Sequence, residues 1–534
     1  MRKDAPDERP FARLLIANRG EIAIRIIRAC REMEIETVAV YSDADATAGH
    51  VRAADEAVRI GPAPAAESYL RGEAIVAAAL ESGAQAIHPG YGFLAERASF
   101  ARAVEDAGLV FVGPSSASIA ALGDKLAARR SASQAGVPVV PGTLEPAPVD
   151  RPDQVDGIVA EAERIGFPLL VKAAAGGGGR GMRRVAAAGE LPAALVAASA
   201  EARSAFGDGT VYLEREIRPA RHIEVQLLGD RAGTIVALGE RDCSLQRRHQ
   251  KLVEEAPAPG LSVEERRSLH DLAVRAARAA GLENAATAEF LFDEERRFWF
   301  LEVNTRLQVE HGVTELVADV DIVREQVRIA AGRPLSDEVL RAADRAVAPE
   351  RHAIEVRISA EDPAREFTPT PGRITHWQLP SGPGIRVDTG VEAGDRVPPD
   401  YDPLVAKLLV VDADRDRALG RLARALDETV VGGIQSTLPF HRFIARDPGF
   451  RVGPPPIDWV DTTWSRNLVA GREAALVAAR WAAAGAAAGT LGPDRPADVD
   501  GDRPAVAAAG RPGGAEPRAW SRAGRARSLD RWPR

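Results

Sequence analysis

Short apolar runs separated by amphipathic stretches fill the first 115 residues. Arg13-Leu-Leu-Ile-Ala predicts a strand and Asn18-Arg-Gly-Glu a turn. Ile22 to Cys30 predicts a helix with Ile22, Ile26, Ile27 and Cys30 on one side. Thr37-Val-Ala-Val-Tyr reads as a second strand, with later ones at Ala86-Ile-His and Val110-Phe-Val-Gly. Strands alternating with helices predict a parallel α/β sheet. The arrangement looks like half of a dinucleotide fold, but its first turn lacks G-x-G-x-x-G, which argues against a nicotinamide or flavin cofactor. Pro138 to Pro152 holds five prolines in fifteen residues and predicts a linker or domain edge. A small module follows, from about 153 to 215, and then a strand-rich region to about Trp464.

Within that region, Thr287-Ala-Glu-Phe-Leu-Phe-Asp and Phe298-Trp-Phe-Leu-Glu-Val-Asn flank the polar turn Glu294 to Arg297, predicting a β-hairpin. If Asp293 pairs with Phe298, Phe290 falls opposite Leu301 and Glu289 opposite Glu302. Two carboxylates facing each other repel, and a divalent cation is the simplest compensation. Hard oxygen ligands with few companions suggest Mg²⁺. The second strand continues as Glu302-x-Asn304-x-Arg306-x-Gln308-x-Glu310, an alternation that puts these polar groups on one face of an extended chain. At roughly 3.3 Å per residue Glu302 and Glu310 would lie about 26 Å apart. Either the chain bends after Asn304 or the row serves successive centres. Arg306 and Gln308 suit a small planar oxyanion, with Glu310 placed to take a proton from it.

Two further segments suggest anion binding. Leu169-Leu-Val-Lys172 leads into Ala173-Ala-Ala-Gly-Gly-Gly-Gly-Arg-Gly, where bare backbone N–H groups can wrap phosphate oxygens. No Gly-Lys-Ser/Thr follows, so this is not a Walker A loop. Together with Lys172 and the hairpin it points to a nucleoside triphosphate. Arg247, Arg248, His249 and Lys251 form a basic cluster expected to face phosphate or bicarbonate, with Glu254 and Glu255 partly balancing it. Cys243 reads as a packing thiol.

Composition sharpens this reading. The chain has 534 residues, 69 Lys plus Arg against 77 Asp plus Glu, and a net charge of −8. Only five of the 69 cations are lysine (Lys3, Lys125, Lys172, Lys251 and Lys407), which leaves 64 arginines. Lys and Arg are nearly equivalent for solvation but not where a compact ammonium is needed, so each surviving lysine is a candidate for chemistry. Residues 503–534 hold eight Arg against Glu516 and Asp530, a net +6, leaving about −14 on residues 1–502. Such a tail, rich in Ala, Gly, Pro and Arg, is expected to be disordered over 488–534. Two cysteines exclude a disulfide framework and a zinc-type cluster. No apolar run reaches the roughly 18 residues of a membrane span, and the polar start lacks the apolar core of a signal peptide. The acidic balance argues against nucleic acid, and the expectation is a soluble cytoplasmic protein.

Five segments in order resemble the biotin carboxylases of the ATP-grasp superfamily over about residues 11 to 464: Ile16-Ala-Asn-Arg-Gly-Glu-Ile-Ala, His88-Pro-Gly-Tyr-Gly-Phe-Leu, Gly176-Gly-Gly-Gly-Arg-Gly-Met, Glu240-Arg-Asp-Cys-Ser through Ala256-Pro, and Leu301-Glu-Val-Asn-Thr-Arg-Leu-Gln-Val-Glu-His. The resemblance implies an α/β chain with an N-terminal Rossmann-like (pre-ATP-grasp) domain at 11–124. An ATP-grasp domain at 125–330 carries a mobile glycine-rich lid at about 144–215, and a C-terminal α+β biotin carboxylase domain spans 350–464. Such enzymes use MgATP to activate bicarbonate as carboxyphosphate and then carboxylate biotin held on a carrier. By the same resemblance, Lys125, Lys172 and Gly177, Gly178 and Gly179 would hold phosphates, Glu214-Arg215 the adenine, and His222, Gln246 and His249 the nucleotide site. Glu289 and Glu302, with Asn304 close by, would hold Mg²⁺ or Mn²⁺. Lys251, Arg306, Gln308 and Val309 would form the bicarbonate site, Glu310 would be the general base, and Arg357 would stabilise the biotin enolate.

Two positions depart from the family pattern. Gly312 stands where proline is usual, which is expected to loosen the loop behind the base, and Arg97 follows Ala95-Glu96 where Ser-Glu-Asn is typical. Covalent biotin needs a lysine normally flanked by methionines, yet the only methionines are Met1, Met33 and Met182 and no lysine follows Lys407. The expected carrier is therefore a separate biotin carboxyl carrier protein, with a separate carboxyltransferase that chooses acetyl-CoA, propionyl-CoA, pyruvate or another acceptor. The family commonly forms homodimers. Another ATP-grasp ligase making a different acyl phosphate and a silent nucleotide-binding scaffold are the alternatives.

Overall fold

In the parallel sheet, alternate residues of each strand face opposite layers. A computed structural model describes residues 9–147, 155–174, 182–464 and 480; the glycine run, Lys3 and the 488–534 tail lie outside them. Arg13–Ile16 (β1), Glu36–Ser42 (β2), Glu56–Gly61 (β3), Ala86–His88 (β4) and Val110–Phe111 (β5) pair in the order β3-β2-β1-β4-β5, all parallel. Leu14 and Ile16 pack on helix α1 (Gly20–Glu32), which buries Ile22, Ile26, Ile27 and Cys30 as its spacing predicts. Leu15, Val38, Val40 and Ile87 pack in the other layer, with Ile75 and Phe100 from the helices Gly72–Glu81 and Ala98–Asp106. Cys30 and Cys243 are buried free thiols, as packing residues should be. Burial raises both, Cys30 to about 12.

The proline-rich stretch is no free linker over its described part. Val139 bridges Phe300 and Gly142 bridges Glu214. A Cβ on Gly142 would sit 2.3 Å from the Leu213 carbonyl oxygen, so this close approach needs glycine. Next come Leu169–Ala173 (β6), Arg183–Val185 (β7) and Val211–Arg215 (β8), an antiparallel sheet in the order β7-β6-β8. With the helices Val155–Ile165 and Leu191–Phe206 it closes a separate small core around Ile158, Leu169, Val171, Leu195 and Leu213.

Ala220–Gly229 (β9), Ile235–Arg247 (β10), Gln250–Ala256 (β11), Asn284–Asp293 (β12), Phe298–Asn304 (β13) and His352–Ser359 (β14) join the strands Leu404–Asp412 and Ile385–Thr389 in one antiparallel sheet. Its order is β13-β12-β9-β10-β11-β14, then Leu404–Asp412, then Ile385–Thr389. Strand periodicity sets its two faces. Ile223, Val225, Leu227 and Phe290 pack on the helix Val263–Ala279, and Ile354, Val356, Leu408 and Val410 on the helix Arg415–Glu428. The opposite face carries the intervening polar residues and is covered by the segment 305–310 and the helix His311–Ala318. This architecture is the ATP-grasp fold with a Rossmann-like N-terminal part and a C-terminal α+β part. Among the described residues no helix is long and apolar enough to cross a membrane.

Candidate active site

A row of ionisable residues crosses four strands at one level. Glu302 on β13 faces Glu289 on β12, which faces Glu224 on β9, which faces Arg241 on β10. The Glu289–Glu302 pairing is the predicted one, but it is reached differently. Near the turn the register is Phe292 with Phe298 and Phe290 with Phe300, one residue off the expected alignment. A bulge at Leu301 inserts one residue into β13 and brings Glu302 back opposite Glu289.

The two carboxylates are held apart electrostatically by different cations. Lys125, the first residue of the helix Lys125–Gln134, ion-pairs with Glu302 at 2.7 Å. Glu289 takes His222 Nε2 at 3.1 Å, Lys251 Nζ at 3.2 Å, Asn304 Nδ2 at 2.8 Å and Gln308 Nε2 at 3.2 Å. Burial alone would push the Glu289 carboxyl up, but Lys251 and His222 outweigh it and hold it well below the usual range.

Lys251 is the hub of this arrangement. Its ammonium lies 2.6 Å from Glu224, 3.2 Å from Glu289 and 2.7 Å from Glu310. Burial opposes its charge, and the three carboxylates overcome that and raise its pKa far above normal. Glu224 in turn accepts the Arg241 guanidinium, which also reaches Gln226, Thr287 and Thr314.

After Asn304 the chain bends out of the sheet, and Glu310 stands immediately before the helix His311–Ala318 without its side chain capping it. The polar row therefore wraps round one place instead of running on about 26 Å. Arg306 donates to Glu96 at 2.8 Å, Gln308 at 2.7 Å and Asn304 at 3.2 Å. Glu310 is fully buried, with Lys251 on Oε1 and Arg357 Nη2 on Oε2 at 2.8 Å. Burial would raise its pKa; Lys251, Arg357 and Arg241 reverse that and keep it a carboxylate. Arg357 also donates through Nε to Glu254 at 2.6 Å. Burial and the charge of Glu310 raise Glu254 to about 7 against the pull of Arg357. Opposite Glu254, on β14, lies Glu355, fully buried with neither oxygen hydrogen-bonded, and burial pushes its pKa well above the ordinary carboxylate value.

At the small three-stranded sheet, Lys172 and the buried Arg129 both ion-pair with Glu214, whereas the neighbouring Arg215 is exposed. Burial would raise Glu214, but Lys172 and Arg129 hold it below its ordinary value. Gly177, Gly178 and Gly179 lie outside the described residues.

The expected basic cluster is split. The β10–β11 hairpin turns through Arg248 and His249, both with positive φ, so successive side chains diverge. Arg247 lies over the Phe367 ring and Arg248 pairs with Glu366, away from Lys251. His249 is exposed. The buried Gln246 sits across the ladder from Lys251. Glu254 and Glu255 do not balance this cluster, because Glu254 serves Arg357 and Glu255 serves His352 and Arg415.

Gly312 is not loose. It is buried in the first turn of its helix, and a Cβ there would meet Leu409 Cδ2 at 2.5 Å. Leu409 fills the space that a larger residue would take.

Sequence reasoning missed Glu96, Glu224, Arg241 and Glu355. For Glu224 a signal existed: His222-Ile-Glu-Val-Gln alternates as Glu302 to Glu310 does. Glu96 had none, since its partner Arg306 lies 210 positions away.

Residues 10–119 match the family described as biotin carboxylase, N-terminal domain, 124–338 the carbamoyl-phosphate synthase L chain, ATP binding domain, and 355–462 the biotin carboxylase C-terminal domain. The chain is 49% identical over 453 residues to a biotin carboxylase of Pseudomonas aeruginosa, covering 84% of this chain and 98% of that protein. It is 49% identical over 430 residues to biotin carboxylase 1 of Bacillus subtilis, covering 80% and 93%. Its fold matches the biotin carboxylase domain dimer of Hydrogenobacter thermophilus 2-oxoglutarate carboxylase, crystallised with MgADP, ADP and bicarbonate. The TM-score is 0.80 at 44% identity, covering 84% of this chain and 97% of that one. A Campylobacter jejuni biotin carboxylase complex gives TM-score 0.80 at 42% identity, covering 84% and 98%. Sequence, fold and a buried carboxylate set among cations agree: this chain belongs to the biotin carboxylases of the ATP-grasp superfamily, ligases that carry out the MgATP-dependent carboxylation of biotin.

Proposed function

We propose that Glu310 is the general base that deprotonates bicarbonate, with Lys251, Arg306, Gln308 and the Val309 backbone gathering that anion and Arg357 stabilising the biotin enolate. The observation that carries this reading is the environment of Glu310, fully buried yet gripped by one cation on each oxygen. Such a group is an anion at neutral pH. Bicarbonate that draws Lys251 and Arg306 onto its own oxygens weakens their hold on the carboxylates and returns basicity to Glu310 when a proton is available. The surrounding cations oppose the negative charge that accumulates as phosphate and carbonate oxygens meet.

Glu289 and Glu302 fit a hard divalent cation. They are two carboxylates directly across a ladder, the oxygen chemistry that Mg²⁺ takes together with phosphate oxygens; Asn304 turns its amide N–H to Glu289 and its Oδ1 to Arg306, so it would join them only by presenting that oxygen to the ion. When bound, the cation would supply charge neutralisation at the transferring phosphoryl group. Lys125, Lys172, Glu214, Arg215, His222, Gln246 and His249 line the nucleotide side. The division at 11–124, 125–330 and 350–464 follows the same reading. In this reading biotin arrives on a separate carrier protein. A separate carboxyltransferase takes the carboxyl group on to its acceptor, and the chain works as a homodimer in the cytoplasm.

Bicarbonate-dependent ADP release, stimulated by free biotin, tests the reading. Glu310→Gln is expected to lower it by roughly 100-fold or more, the scale of general-base catalysis. An unchanged rate overturns the assignment of the base.

A further inference from the structure

Lys407 is the one described lysine with no place in the catalysis proposed above. It lies on the strand Leu404–Asp412, opposite Arg357 on one side and Asp388 on the other. Its side chain is wholly buried, although an unpaired ammonium is costly to bury and arginine is this chain's usual cation. Its Nζ donates to the Val309 carbonyl at 2.9 Å and ion-pairs with Glu21 at 3.2 Å and Asp388 at 3.7 Å. Asp388 is fixed by both arms of Arg386, and Glu21, in the first turn of α1, also accepts the Tyr91 hydroxyl. One ammonium thus ties together the C-terminal strand, the N-terminal helix and the backbone immediately before Glu310.

The neighbouring geometry points the same way. Leu409 is two residues along the same face and packs over Gly312, so this strand holds the 309–312 segment by a hydrogen bond on one side of Glu310 and by packing on the other. The 305–310 segment lies outside regular secondary structure, with no ladder to fix it. A buried donor on the Val309 oxygen therefore fixes the backbone from which Glu310 reaches Lys251 and Arg357.

We propose that Lys407 is a positioning residue, clamping the Val309 carbonyl so that Glu310 is aimed at its proton donor. This rests on the reading of Glu310 as base. The test is Lys407→Met, together with the double variant Lys407→Met/Glu21→Gln, which removes the donor and one buried acid together and so preserves folding if the single variant does not fold. With free biotin as acceptor, the expected result is a kcat roughly ten- to a hundredfold lower, the cost of a misplaced reacting group. KM for ATP should stay within about twofold, because the Lys407 hydrogen bond acts on the base and not on the nucleotide groups. An unchanged kcat in a folded variant overturns the inference. So does a loss of kcat accompanied by a raised KM for ATP and a lowered melting temperature, which marks general loosening. Glu310→Gln assayed alongside separates the two ideas. If it retains activity, the base assignment fails; if it alone loses activity, only the role of Lys407 fails.

Discussion

The two large sheets bury polar groups in opposite ways. On the parallel sheet the strands pack apolar residues on both faces, and His88 at the end of β4 and His50 beside the sheet are kept neutral, pushed by burial to about 3 and about 4. The antiparallel sheet has one apolar face and one face where Arg241, Lys251, Arg357 and Lys407 are each matched by carboxylates, with the unbonded Glu355 as an exception. Neutral burial makes a scaffold whose stability is set by packing. Paired burial makes a surface that stays charged out of water, which a reaction between anions needs. The difference predicts that the same size of change should act on stability alone in one sheet and on turnover in the other.

The largest effect is expected from Lys251→Met. It strands Glu224, Glu289 and Glu310 together, so bicarbonate-dependent turnover should fall by more than about 100-fold. Unfolding free energy should fall by about 3–5 kcal/mol. Steady-state kinetics and denaturant melts on one preparation measure both, and retained turnover would erase the contrast. Ile87→Ala in the parallel sheet is the counterpart. It should cost about 2–5 kcal/mol in a denaturant melt and leave the turnover of the folded molecules unchanged. A changed kcat there would mean that the scaffold is not separable from the chemistry.

Gly312→Pro tests the border between the two. Proline suits the first helical turn, but its ring meets Leu409, so a cost of about 1–3 kcal/mol is expected, relieved by adding Leu409→Val. If the single change is neutral in a thermal melt, Leu409 moves aside freely and the packing argument fails. The smallest effect is in the pH dependence. Folded His88 titrates at about 3, against about 6.5 unfolded. Below pH 6.5 the unfolded chain binds a proton that the folded one refuses, and stability falls as pH falls. The slope is about 1.4 kcal/mol per pH unit, and His88→Asn should remove it in melts at pH 7, 6 and 5. For Glu255, burial is outweighed by His352 and Arg415, which hold it at about 2. Its contribution is intact above the ordinary carboxylate value and is lost only as pH drops from about 4.5 toward 2. Equal slopes with and without His88 would blur the distinction between neutral and paired burial.

How much of this was legible in the sequence follows the same divide. Apolar periodicity marked β1, α1, β2, β4 and β5 because each segment's burial is a local pattern. The Glu289–Glu302 pair was legible too, although the bulge at Leu301 was not, since a one-residue slip depends on both strands at once. The cluster at 247–251 misled because four adjacent basic residues look like one surface, and only the turn at Arg248 and His249 sends Lys251 inward and the arginines out. Glu355 looked like any strand residue, and its burial comes from β11, the Leu404–Asp412 strand and Gly312, all remote in sequence.

The scarcity of lysine has a practical side at the bench. Apart from Lys3, the chain's primary side-chain amines are Lys125, Lys172, Lys251 and Lys407, with side-chain exposures of 20%, 18%, 12% and 0% and every one in an ion pair. Reagents that attach dyes, tags or solid supports through lysine decorate the outside of most proteins. On this one, those four targets belong to the proposed site or lie beneath it, so such coupling is expected to inhibit, and its rate to report how open that site is.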